Sequence, residues 1–116
     1  MATPLINHEL VAQIRMIETS TGRGDVFAGF IRRLEDNLAD FAKKFAECIA
    51  RGDTMAAGRA AHTLKGTSLQ LGATAMGELF AEIESAAKAG DAAAATRAYE
   101  GGVELIAQSL AALKKA

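Results

Sequence analysis

Apolar residues recur along the chain at helical spacing, in runs separated by short polar segments in which Gly and Asp are prominent. The clearest run takes Phe27, Ile31, Leu34, Leu38, Phe41, Phe45 and Cys48 in alternating steps of four and three, over about six turns. Its opposite face carries Arg32, Arg33, Glu35, Asp36, Asp40, Lys43, Lys44 and Glu47 and reads as solvated surface. Ahead of it, Asn7 is placed to cap a shorter helix running to about Glu18, with Leu10, Val11, Ile14 and Ile17 as its stripe. Thr19 to Gly24 reads as a loop, with Asp25 as the cap of the long helix. Arg51-Gly52-Asp53 is a stop followed by a start, and the third helix runs to Leu71, where Gly72 breaks it. Thr74 opens a fourth helix with Met76, Leu79, Phe80 and Ile83 inward, ending at Ala89-Gly90. Asp91 caps the last, whose core positions are Tyr99, Val103, Ile106, Leu110 and Leu113. Gly101-Gly102, inside that pattern, marks a bend or a close helix crossing, and Lys114 and Lys115 suit a helix C-terminus. Short connections make consecutive helices antiparallel neighbours. The expected fold is all-α: an up-down antiparallel four-helix bundle with the short first helix packed over one end.

Composition narrows the class without changing this picture. A chain of 116 residues has the length of one domain, 1–116, and one Pro with few aromatics favours packed helices. A net charge of −1 offers no basic field for a nucleic-acid backbone. No apolar run approaches the roughly 20 residues that span a bilayer, so no membrane association is expected. Met1-Ala2-Thr3-Pro4 shows no secretory pattern, and the lone Cys48, a buried small hydrophobe by its place in the stripe, suits a reducing, cytoplasmic setting.

The third helix carries the chemistry. Ala57, Ala61, Leu64, Ser68 and Leu71 form a small, apolar seam, and His62 points roughly 200° away from Leu64, off that seam. Lys65 follows three residues on, about 4.5 Å along the axis and about 60° round the cylinder. Gly66 follows four residues on and has no side chain to shield the ring, although Gly costs about 1 kcal/mol relative to Ala inside a helix. A bare imidazole with a cation one turn along and a gap above it suits a bulky anion.

His62, Leu64, Lys65, Gly66, Thr67, Ser68, Leu71, Gly72 and Ala73, followed by Leu79, Ile83 and Glu84, resemble the signature of histidine-containing phosphotransfer (HPt) domains. These are helical carriers of phosphoryl groups between receiver domains in multistep two-component signalling. The resemblance covers most of the chain. It implies that His62 is the phosphoacceptor, attacking through Nε2, with Lys65 stabilising charge and Gly66 giving steric access. Glu84, where the family commonly has Glu or Gln, would orient the imidazole by accepting from Nδ1–H. The competing reading makes Glu84 one of a solvated group with Glu78 and Glu82. The implied partners are response-regulator receiver domains and a hybrid sensor histidine kinase. The chain is expected to have no metal site or cofactor of its own, and the resemblance implies that the receiver supplies Mg²⁺.

Arg59 and Leu69 share the His62 face, with Met55 further down, and suggest a docking surface; partial burial at a helix flank is the alternative. Thr67 and Ser68 read as small packing residues and His8 as incidentally exposed. The lack of a phosphate-cradling loop, a Ser/His/Asp set or a Glu-x-x-His pair argues against an autonomous enzyme or a di-metal bundle. The remaining rival is a docking module that is never phosphorylated, against which stands the intact His62, Lys65 and Gly66 trio. With one main apolar stripe per helix the expectation is a monomer. The start at Met1 and the end with the last helix suit a free-standing carrier, though an excised domain of a hybrid kinase would read alike.

Overall fold

The computed structural model describes residues 3–116, so the first two residues of the stretch read for a secretory signal lie outside it. Among the described residues there are six helices and no strands: α1 (His8–Thr21), α2 (Val26–Arg51), α3 (Thr54–Gln70), α4 (Thr74–Lys88), α5 (Ala92–Gly101) and α6 (Val103–Lys115). One continuous core draws on all of them, from Val11 and Ile14 in α1 to Leu113 in α6.

The N-terminal region departs from the sequence expectation. Asn7 Oδ1 accepts from the Leu10 N–H at 3.2 Å, as a cap should, but α1 continues past Glu18 to Thr21 and stops at Gly22 in the left-handed region, φ 71°. The Thr19 and Thr21 hydroxyls donate to the carbonyls four residues back, so these polar residues extend the helix that they were expected to end. Ile17 stands exposed while Glu18 is buried. The reason is the start of α2: Glu18 accepts from the Phe27 N–H at 2.8 Å and pairs with Arg15 at 2.9 Å, whose guanidinium lies 4.6 Å from the centre of the Phe27 ring. Those contacts, the Phe27 N–H first, hold the Glu18 carboxyl below its usual range. Asp25, expected to cap α2, makes no capping bond.

Along α2 the stripe is buried as its spacing requires, except Leu38, which is half-buried. Phe41 stacks on Phe45 and meets Phe80 of α4 and Tyr99 of α5 edge-on, with ring centres 5.0 to 5.2 Å apart. Gly52 closes α2 at φ 73°, and Asp53 caps α3 through the Ala56 N–H at 3.1 Å.

The turn from α3 to α4 is tight. Gly72 adopts φ 85°, and its carbonyl accepts from the Asn7 N–H at 2.6 Å, which fastens the N-terminal segment to this end. Arg15 also donates to the carbonyl of Ala116, so α1 lies where the start of α2, the α3–α4 turn and the end of α6 meet. Beyond the turn, α3 and α4 run antiparallel at glycine-mediated contacts. A Cβ at Gly77 would lie 2.5 Å from Leu69, and one at Gly58 would lie 2.8 Å from Lys88 Cγ.

The last expected helix is two. Gly102, buried, joins α5 to α6, and the side chain of Leu79 occupies the space that a Cβ there would need. The change of course takes Val103, expected in the core, out to 53% exposure, while Leu113 is fully buried. Lys114 pairs with Glu35 at 3.0 Å and ties α6 to α2. Gly102→Val is therefore expected to overpack the Leu79 contact and lower stability by about 1–3 kcal/mol, measured by urea unfolding.

Candidate functional site

Asp53 fixes the start of α3, and the rotation that puts Ala57, Ala61, Leu64 and Ser68 in the core carries His62 to the outside. The side chain of His62 is 62% exposed. Above it Gly66 is open: a Cβ there would touch nothing within 4 Å. One turn on, Lys65 is half-exposed and turns toward α4.

The residue that organises these groups is Glu84. The rotation that buries Phe80, Ile83 and Ala87 in the core also buries Glu84 against α3, while its exposed neighbour Glu82 stays in solvent. Glu84 Oε2 lies 2.9 Å from His62 Nδ1 and 2.6 Å from Lys88 Nζ, and Oε1 lies 3.1 Å from Lys65 Nζ. The Lys88 ammonium first, then Lys65 and His62, lower the carboxyl from an ordinary 4.5 to about 2, against the opposing effect of burial. An ionised carboxylate can only accept, so the proton of the neutral ring sits on Nδ1 and the lone pair on Nε2.

The structure thus brings His62, Lys65 and Glu84 together, and of the two readings of Glu84 it favours contact with the ring over a solvated acid. Lys88 escaped the sequence reading. It lies on α4 one turn beyond Glu84, and the only signal for it was that i, i+4 spacing. Gly58 escaped it too: buried one turn before His62, it leaves the space through which the Lys88 stem runs. Met55 and Arg59 are exposed; Leu69 is 44% exposed and lies over Gly77, so it is both an outward and a flank residue. Ser68 is buried on the seam, the Thr67 hydroxyl donates to the Thr63 carbonyl, and His8 is exposed. Among the described residues no cluster of three or more His, Cys, Asp or Glu side chains is suited to hold a metal ion.

A lone pair on an exposed ring nitrogen, beside a cation and an uncovered glycine, can attack an electrophile carried on another molecule and hold the anion that results. The ring's second nitrogen is meanwhile tied to a buried carboxylate that offsets the positive charge it gains.

The family model for the Hpt domain matches residues 25–116. Among curated proteins and solved structures nothing matches the chain.

Because the Glu84 carboxyl is lowered in the folded protein, the unfolded chain binds its proton more readily. The stability from these ion pairs is then complete above about pH 4.5 and lost as the pH falls toward about 2. Urea midpoints measured across that window are expected to fall less steeply for Glu84→Gln than for the wild type.

Proposed function

The chain belongs to the Hpt domain family, and on that footing we propose that it is a phosphorelay intermediate with His62 as its phosphoacceptor. The family places it in phosphotransfer of two-component signalling, where Hpt domains act as phosphocarriers. The observation that carries the assignment to His62 is the 2.9 Å bond between Nδ1 and the Glu84 carboxylate, on a ring otherwise open to solvent.

In the proposed reaction Nε2 attacks the phosphorus of a receiver domain's aspartyl phosphate. The N–P bond forms as the P–O bond breaks, and the aspartate leaves with the electron pair as a carboxylate. The ring gains positive charge while keeping its Nδ1 proton, and Glu84 offsets that charge. Lys65 draws the phosphoryl oxygens. Positioning and charge supply nearly all of the assistance in such a transfer. The same steps run in reverse deliver the group to another receiver. Mg²⁺ and its acidic ligands belong to the receiver in this scheme. A hybrid histidine kinase is the other donor the reading allows, and Met55, Arg59 and Leu69 form the proposed docking surface around the ring.

The same reading treats residues 1–116 as one domain, with α2, α3, α4 and the α5–α6 rod as an up-down antiparallel bundle and α1 across one end. It takes the protein as a cytoplasmic monomer. Among the described residues no helix is long and apolar enough to cross a membrane.

Incubation with aspartate-phosphorylated receiver domains and Mg²⁺ is expected to give an acid-labile, base-stable label that His62→Gln abolishes. Absence of label from a folded wild type, with receiver binding intact, would favour a docking module that is never phosphorylated. Gly66→Gln separates stability from access. Replacing the helical glycine is expected to raise stability by about 0.5–1 kcal/mol in thermal unfolding, while the new side chain beside the ring slows uptake of the label.

A further inference from the structure

Lys88 plays no part in the pattern that singles out His62, Lys65 and Gly66, yet it makes the shortest of the three bonds to Glu84, 2.6 Å to Oε2. That oxygen also accepts from His62 Nδ1 at 2.9 Å. The ammonium and the ring nitrogen are therefore no more than about 5.5 Å apart, the two bonds laid end to end. Lys88 reaches this position over Gly58. A Cβ at Gly58 would lie 2.8 Å from Lys88 Cγ and 3.6 Å from Ala87 Cβ, so any side chain there would push the stem aside near its base.

A carboxylate beside one ring nitrogen orients the ring, but it also favours the doubly protonated imidazolium, which has no lone pair with which to attack. Glu84 would impose that cost on His62 if it acted alone. The charges around the ring are Arg59 and Lys65 of α3 and Glu84 and Lys88 of α4. From α2, Asp40 and Lys44 line a groove beside Thr63 and Leu64. Among the described residues, Glu84 is the one ion-pair partner of the ring.

We propose that Lys88, seated over Gly58, is a positioning residue for His62: it pins the Glu84 oxygen that orients the ring and offsets that carboxylate's charge, so that Nε2 stays unprotonated. The inference rests on the phosphocarrier reading for its purpose, while its physical content concerns the ring alone. Because His62 is largely exposed, the water-like limit applies. A unit charge about 5 Å away then changes the protonation equilibrium by about fourfold, or about 0.6 of a pH unit.

The test is an NMR titration of the His62 ring in the intact protein, its resonances assigned by their loss in His62→Gln. Lys88→Met is expected to raise the midpoint of ring protonation by about 0.6 of a pH unit, and Lys88→Arg to restore it toward the wild-type value. Gly58→Ala keeps every charge but displaces the Lys88 stem, and is expected to move the midpoint in the same direction. Lys43→Met, which removes an exposed lysine of α2, is expected to leave it unchanged. A midpoint that stays or falls in Lys88→Met, or that moves as far in Lys43→Met, overturns the proposal. Lys88 is 43% exposed, so its replacement leaves the core intact, and Lys88→Gln provides a second neutral variant. The acidic limb of phosphoryl uptake from an aspartate-phosphorylated receiver should shift with the midpoint. If the wild type takes up no phosphoryl group at all, the phosphocarrier reading fails, and the titration still decides whether Lys88 controls the ring.

Discussion

The site depends on how closely α3 and α4 approach. At both ends of their contact a glycine on one helix faces a side chain of the other: Gly58 faces Lys88, and Gly77 faces Leu69. Each glycine costs about 1 kcal/mol of helix stability relative to Ala, and each removes a Cβ that would hold the helices apart. At this separation a glutamate side chain from α4 reaches the imidazole and an ammonium on α3 together, at 2.9 and 3.1 Å.

Within that contact, burial is divided unequally. The Glu84 side chain is 11% exposed and that of His62 62%. The acid is held against the core, where its bonds are least screened and its geometry is set by packing; the base is left where a second protein can meet it. Two lysines and one carboxylate leave a net positive charge beside the ring, which suits an incoming phosphoryl group better than a balanced pair would. Charge needed for orientation and charge needed for attraction are thereby supplied by different residues.

The rest of the fold keeps that interface in register. The rings of Phe41, Phe45, Phe80 and Tyr99 bind α2 to α4 and α5, and Leu79 filling the space at Gly102 fixes the α5–α6 joint against α4. At the far end, Glu18 and Arg15 hold α1 to the first turn of α2, and Asn7 holds the N-terminal segment to the Gly72 turn. These contacts lie away from the ring; those of Phe80 and Leu79 fix which face of α4 turns to the core, and with it the side on which Glu84 stands.

The sequence by itself determined much of what depends on one helix at a time, though not the end of α1, where Thr19 and Thr21 bond within the helix and carry it past Glu18. Periodicity gave α2 and its buried stripe, Gly52-Asp53 and Gly90-Asp91 gave the breaks between helices, and the i, i+3, i+4 relation of His62, Lys65 and Gly66 followed from the pitch of a single helix. The resemblance pointed to Glu84 as well, but could not say whether it touched the ring. Tertiary structure decided what depends on two elements at once. It buried Glu18 to cap a different helix, leaving Ile17 exposed, and it turned Val103 outward at Gly102. It also used Gly58 to admit Lys88 to Glu84. The spacing of residues within a helix is fixed by backbone geometry, whereas the distance and rotation between helices are fixed by the side chains, and the missing side chains, packed where they meet.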